Sequence, residues 1–89
     1  MEPSCDRPLP RSFERRVVVV APGTERAFDA CEWRDAIVVV ARGAIVLESV
    51  HGVRRAFAPG DLLWLTGLGL RALCNDGDEP AVLVAVSRR

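Results

Sequence analysis

Residues Phe57–Asn75, FAPGDLLWLTGLGLRALCN, decide the fold. Ala58–Pro59–Gly60–Asp61 is a turn: proline fixes φ and removes an amide donor, and glycine tolerates a positive φ. Leu62–Leu65 follows as a short apolar strand. Gly67 and Gly69 flank Leu68 in a bend, and a second strand begins near Arg71. The rest of the chain repeats this grammar. Arg16–Ala21 (RVVVVA) is a β-branched run closed by Pro22–Gly23, and Thr24–Glu32 is a weaker strand. Trp33–Ala41 is a third, turned by Arg42–Gly43. Ala44–Ser49 and Val53–Phe57 form a hairpin across Val50–His51–Gly52. After the turn Asn75–Pro80 (NDGDEP), Ala81–Ser87 closes the set. Seven or eight short strands, with no helical period between them, predict an all-β barrel or sandwich.

The chain has 89 residues, 49% apolar and 27% charged, enough for one modest core. Residues 1–12 hold Pro3, Pro8 and Pro10 among polar neighbours and read as a flexible arm, leaving 13–89 as the barrel. No apolar run approaches a membrane span, and no charged leader precedes an apolar stretch, so a cytoplasmic protein is expected. Net charge is zero and the charges are scattered, which argues against nucleic acid as a partner. All the basic residues are arginine, read here as the imprint of a GC-rich, bacterial genome. Cys5, Cys31 and Cys74 are odd in number and lack CxxC spacing, against a disulfide framework or a structural zinc site. Val17–Val20 and Ile37–Val40 show no alternation, so both faces are expected to be covered. One face lies inside the barrel and the other against a second subunit, which predicts a homodimer.

The segment Gly43–Asn75 resembles the cupin superfamily. It has a glycine ending one strand, a hairpin, then Pro59–Gly60–Asp61, and Asn75 fifteen residues beyond Gly60. The resemblance implies a small, jelly-roll-like β-barrel. In the second cupin motif Gly60 and Asn75 match, but Thr66 replaces the usual proline, Leu68 a glycine and Arg71 the metal-binding histidine. Counting back from Gly43 puts Ala36 at the ligand glutamate, and Ala30 and Glu32, or positions one earlier, at the two ligand histidines. A first-row metal in such a barrel needs several imidazoles and a carboxylate, and this chain has one histidine, His51. No metal and no other cofactor is therefore expected.

The same resemblance, with strand alternation, places Arg71, Leu73 and Asn75 on one inward face. A guanidinium there must meet a carboxylate, either from an anionic ligand or from Glu32 or Asp35. Glu32 is a candidate general base in a partly dry cavity, or simply the partner of Arg71. Cys31 is a candidate nucleophile without a local base, so a buried structural thiol is the plainer reading of Cys31 and Cys74. His51 is of the residue type that serves as a general acid–base, but it has the position of an exposed turn residue. Asp61 caps its turn, and Trp33 and Trp64 either line a pocket or fill the core. Three functions remain. The first is a metal-free barrel binding a small organic anion, with Arg71 as anchor, Trp64 and Leu73 as walls, and Asn75 beside them. The second is a cofactorless isomerase, cyclase or lyase using Glu32, His51 or Cys31. The third is an assembly protein with a filled barrel.

Overall fold

Alternation of the pleat, hidden in the valine run of the sequence, governs the first strand. In the computed structural model, which describes residues 13–88, Val18 and Val20 are buried while Val17 and Val19 face outward. The strands are β1 (Phe13–Val20), β2 (Glu25–Ala27), β3 (Ala36–Arg42), β4 (Ile45–Ser49), β5 (Arg54–Phe57), β6 (Leu62–Trp64), β7 (Leu70–Cys74) and β8 (Ala81–Arg88). They form two antiparallel four-stranded sheets, ordered β1-β8-β3-β6 and β2-β7-β4-β5. The described residues contain no helix, and hence none long and apolar enough to cross a membrane. This is the all-β barrel that the turn spacing predicts; the expected arm at 1–12 lies outside the described residues.

The inner faces of the two sheets meet in one core. Val18, Val38, Leu63 and Leu83 come from the first sheet, and Ile45, Leu47 and Leu73 from the second. Trp33 and Leu65 are inserted from loops, and Trp33 has no exposed surface. Burying each of these large side chains contributes roughly 1.5–3 kcal/mol, offset mainly by the entropy of ordering the chain.

Within one chain, Val17–Val20 and Ile37–Val40 are covered on one face only: Val17 and Val19 are each 57% exposed and Ile37 is 52%. Adjacent residues of a strand point to opposite faces, and a barrel has one inside. The weaker strand at Thr24–Glu32 shrinks to β2, and the chain turns until β3 begins at Ala36. The Asp29 carboxylate accepts the Cys31 amide at 2.9 Å and its carbonyl accepts the Glu32 amide at 3.0 Å. Such local bonds offer the backbone an alternative to a sheet ladder.

At one end of the barrel the turns are tied together by hydrogen bonds. The Gly23 amide donates to the Asn75 carbonyl, the Asn75 amide donates to the Thr24 carbonyl, and the Asp61 carboxylate accepts the Ala58 amide at 2.8 Å. Gly43 passes so close to Pro80 that any side chain would press into the Pro80 carbonyl oxygen, and its φ is +69°. The loops at 28–35, 50–53 and 65–69 gather at the opposite end and form the mouth.

Candidate functional site

The polar centre of the mouth is built on Glu32. Arg26 pairs with Leu73 across β2 and β7 and so faces inward, and Arg16 pairs with the buried Ala85 across β1 and β8. Both guanidiniums converge on Glu32: Arg16 at 3.3 Å from Oε2, and Arg26 on the same oxygen. Arg16 also donates to the Glu32 carbonyl at 2.6 Å, and its guanidinium lies 5.2 Å from the centroid of Trp33. Cation, ring and carboxylate therefore hold one another. The buried Trp33 Nε1 and Arg26 Nε have no partner among the described residues.

The inner faces of β4 and β5 and the bend before β7 line an open concavity of about 250 Å³. Leu47, Phe57, Leu68 and Leu70 make its walls, and Val53, Ser49 and Arg55 its rim. Arg55 pairs with Leu47, and Phe57 with Ile45, so the face that carries Arg55 is the core face. Arg55 has no ion-pair partner among the described residues. The Ser49 hydroxyl is occupied, accepting the amides of His51 and Val53 at 3.2 and 3.1 Å. An apolar concavity with a single cation at its rim is suited to an amphipathic anion.

Arg71 is not inside the barrel. Glu48 pairs with Ala72 and Ser49 with Leu70, so Arg71 is the extra residue of a bulge, and its side chain joins Glu48 and Glu25 on the outer face of the second sheet. It is 48% exposed there, 2.9 Å from Glu25 and 3.0 Å from Glu48. Those acids, not Glu32 or Asp35, are its partners. The hydrogen bond from Arg71 holds the Glu48 carboxyl below its ordinary value, and Glu48 in turn raises the Arg71 guanidinium. Alternation counted back from Asn75 misses a bulge, because one inserted residue reverses the facing.

The other sequence candidates scatter. Leu73 is fully buried core, not a pocket wall, and Trp64 lies half-exposed on the outer face of β6. Asn75 is 1% exposed and its amide is spent on the fold. Nδ2 donates to the carbonyls of Val20 at 2.9 Å and Glu79 at 2.7 Å, and Oδ1 accepts the Gly77 amide at 2.9 Å. Cys31 is exposed, against the expectation of a buried thiol, whereas Cys74 is buried beneath the Glu48 pair. His51 is exposed in the β4–β5 turn. Arg16, Arg26 and Arg55 were missed. Their inward facing follows only from register, and a lone arginine among alternating residues carries no signal of its own.

The donor set does not fit the metal that the cupin resemblance implies. Ala36 is buried in the core, Ala30 is exposed in a turn, and Arg71 faces outward. Glu32, a carboxylate at one of those positions, already accepts the guanidiniums of Arg16 and Arg26.

No family model matches the chain, and no curated protein does. Solved structures do. A Cupin 2 conserved barrel domain protein from Salinispora arenicola CNS-205 superposes with a TM-score of 0.71 at 29% identity, over 93% of this chain and 71% of that one. The Cupin_2 domain of an XRE family transcriptional regulator from Enterobacter cloacae gives 0.67 at 21% identity, over 88% and 82% of the two chains. A sugar phosphate isomerase of the cupin superfamily from Silicibacter pomeroyi gives 0.64 at 27% identity, over 88% of this chain and 51% of that one.

Proposed function

The chain belongs to the cupin superfamily, and on that premise we propose that it is a metal-free binding protein that takes a small organic anion in the cavity beside Arg55. One observation carries this reading: the open concavity on the core face is walled by Leu47, Phe57, Leu68 and Leu70, and its one cation has no partner among the described residues. A guanidinium at the rim of an apolar wall gives a carboxylate a charge-assisted hydrogen bond while the ligand's hydrocarbon part leaves water. Arg55 takes the anchoring role that the sequence assigns to Arg71. The volume suits a ligand of a few carbons or a single aromatic ring.

A cofactorless isomerase is the second reading, supported by the position of Glu32 at the mouth and by the isomerase among the structural neighbours. Against it, the Glu32 carboxylate is already engaged by both Arg16 and Arg26. Thermal shifts with benzoate and hexanoate, against benzyl alcohol and hexanol as neutral counterparts, test the binding reading. Stabilisation by the acids alone supports it, and no stabilisation by any of the four counts against it.

A further inference from the structure

The Ser49 hydroxyl, at the rim of the concavity beside Arg55, has half of its hydrogen-bonding capacity in use. A hydroxyl carries two acceptor lone pairs and one proton to donate. At Ser49 both lone pairs are taken, by the amides of His51 at 3.2 Å and Val53 at 3.1 Å. Its proton has no acceptor among the described residues, so Ser49 meets a ligand as a donor only. The turn holds it in place. The Ser49 amide donates to the Val53 carbonyl at 2.8 Å, and the Gly52 amide donates to the Ser49 carbonyl at 3.0 Å. Arg55 pairs with Leu47, and Ser49 lies opposite Val53, so Ser49 and Arg55 are diagonal neighbours on the core face. Such neighbours stand roughly 7–8 Å apart, within reach of a long side chain.

We propose that the concavity selects a 2-oxo acid with a hydrocarbon or aromatic side chain, Arg55 holding the carboxylate and Ser49 donating to the 2-oxo oxygen. The proposal rests on the reading of this concavity as an anion site and names its ligand class. A 2-oxo acid carries its carboxylate and an acceptor-only carbonyl on adjacent carbons. Those two groups match a guanidinium and a donor-only hydroxyl on neighbouring positions of one sheet face. The side chain leaves water against Leu47, Phe57, Leu68 and Leu70. The amino acid of the same skeleton is rejected. Its ammonium has only protons to offer, and the lining residues bring no carboxylate and no free side-chain acceptor to meet it. Moving that ammonium out of water and next to a guanidinium is unfavourable, because nothing replaces its hydration. Ser49 is thus the residue that sets specificity, and Arg55 the one that sets affinity for the charge.

Isothermal titration of the full chain with benzoylformate, phenylacetate and phenylglycine tests this, since the three differ only at the carbon beside the carboxylate. The wild type should bind benzoylformate roughly fivefold tighter than phenylacetate, the effect of one added hydrogen bond, and should not bind phenylglycine. Ser49→Ala should abolish the preference, so that the two acids bind alike. Ser49→Thr, which keeps the hydroxyl, should retain it, and Arg55→Leu should lose both acids. Should Ser49→Ala disturb the turn, the ranking of the three ligands by the wild type decides without it. Equal binding of benzoylformate and phenylacetate by the wild type, a preference that survives Ser49→Ala, or phenylglycine binding as tightly as phenylacetate overturns the assignment of Ser49 while the anion site stands. A wild type that binds neither acid overturns both.

Discussion

Replacing Asn75 by alanine separates a structural role from a ligand-binding one. Asn75 ties the turns at one end of the barrel, with its amide bonded to the carbonyls of Val20 and Glu79 and to the Gly77 amide. Truncation removes three hydrogen bonds, each contributing about 0.5–1.5 kcal/mol net, and strands the carbonyl of Val20, itself only 2% exposed. The expected loss is roughly 2–4 kcal/mol, a large part of the stability of a domain this size. In a thermal melt it corresponds to a fall of about 10–25 °C. Asn75→Asp is the sharper control. It keeps the shape and the acceptor for Gly77 but turns both donors into a carboxylate facing two carbonyls, and it should cost at least as much. Urea unfolding of the three proteins at constant slope measures the difference. A loss below about 0.5 kcal/mol for either variant would refute the assignment of Asn75 to the fold, since surface substitutions fall in that range.

Gly43→Ala should destabilise by more than about 2 kcal/mol, because the new methyl meets the Pro80 carbonyl and the backbone is left-handed. Gly23→Ala, at φ +73° with open space around it, should cost only about 1 kcal/mol, and equal losses in urea would contradict the close approach at Pro80. The Arg71 pair sets an acid limb. The folded chain holds Glu48 below the ordinary value of 4.5, so the unfolded chain binds the proton first, and stability falls as pH drops below 4.5. Melts across that range should show a flatter acid limb for Arg71→Ala, and an unchanged limb would deny the pair any role. Arg16→Ala should lower the melting temperature and expose Trp33 to aqueous quenchers, since the guanidinium lies on its ring; unchanged quenching would count against that stacking.

The fold was legible in the turns. Pro22–Gly23, Pro59–Gly60 and Asn75–Pro80 punctuate strands too short for any other architecture, and the capping of Ala58 by Asp61 follows from the turn chemistry alone. The site was not legible, because it depends on which face a residue takes. An unpunctuated valine run looks doubly buried from sequence, since a sheet face covered by solvent or by a subunit can be equally apolar. The bulge at Arg71 leaves no compositional mark, yet it moves that side chain from the inside to the outside and leaves Arg55 as the cation at the cavity. Trp33 and Trp64 are likewise indistinguishable by type: a turn carries Trp33 into the core, and strand pairing leaves Trp64 on the surface.

The most direct measurement of the central claim is a titration of ¹⁵N-labelled protein with benzoate, followed by amide chemical shifts, for wild type and Arg55→Leu. The account predicts saturable shifts confined to Leu47, Ser49, Val53, Phe57, Leu68 and Leu70 in the wild type, and their loss in the variant, which should remain folded. Shifts that centre on Glu25, Glu48 and Arg71, or that survive the loss of Arg55, would contradict it.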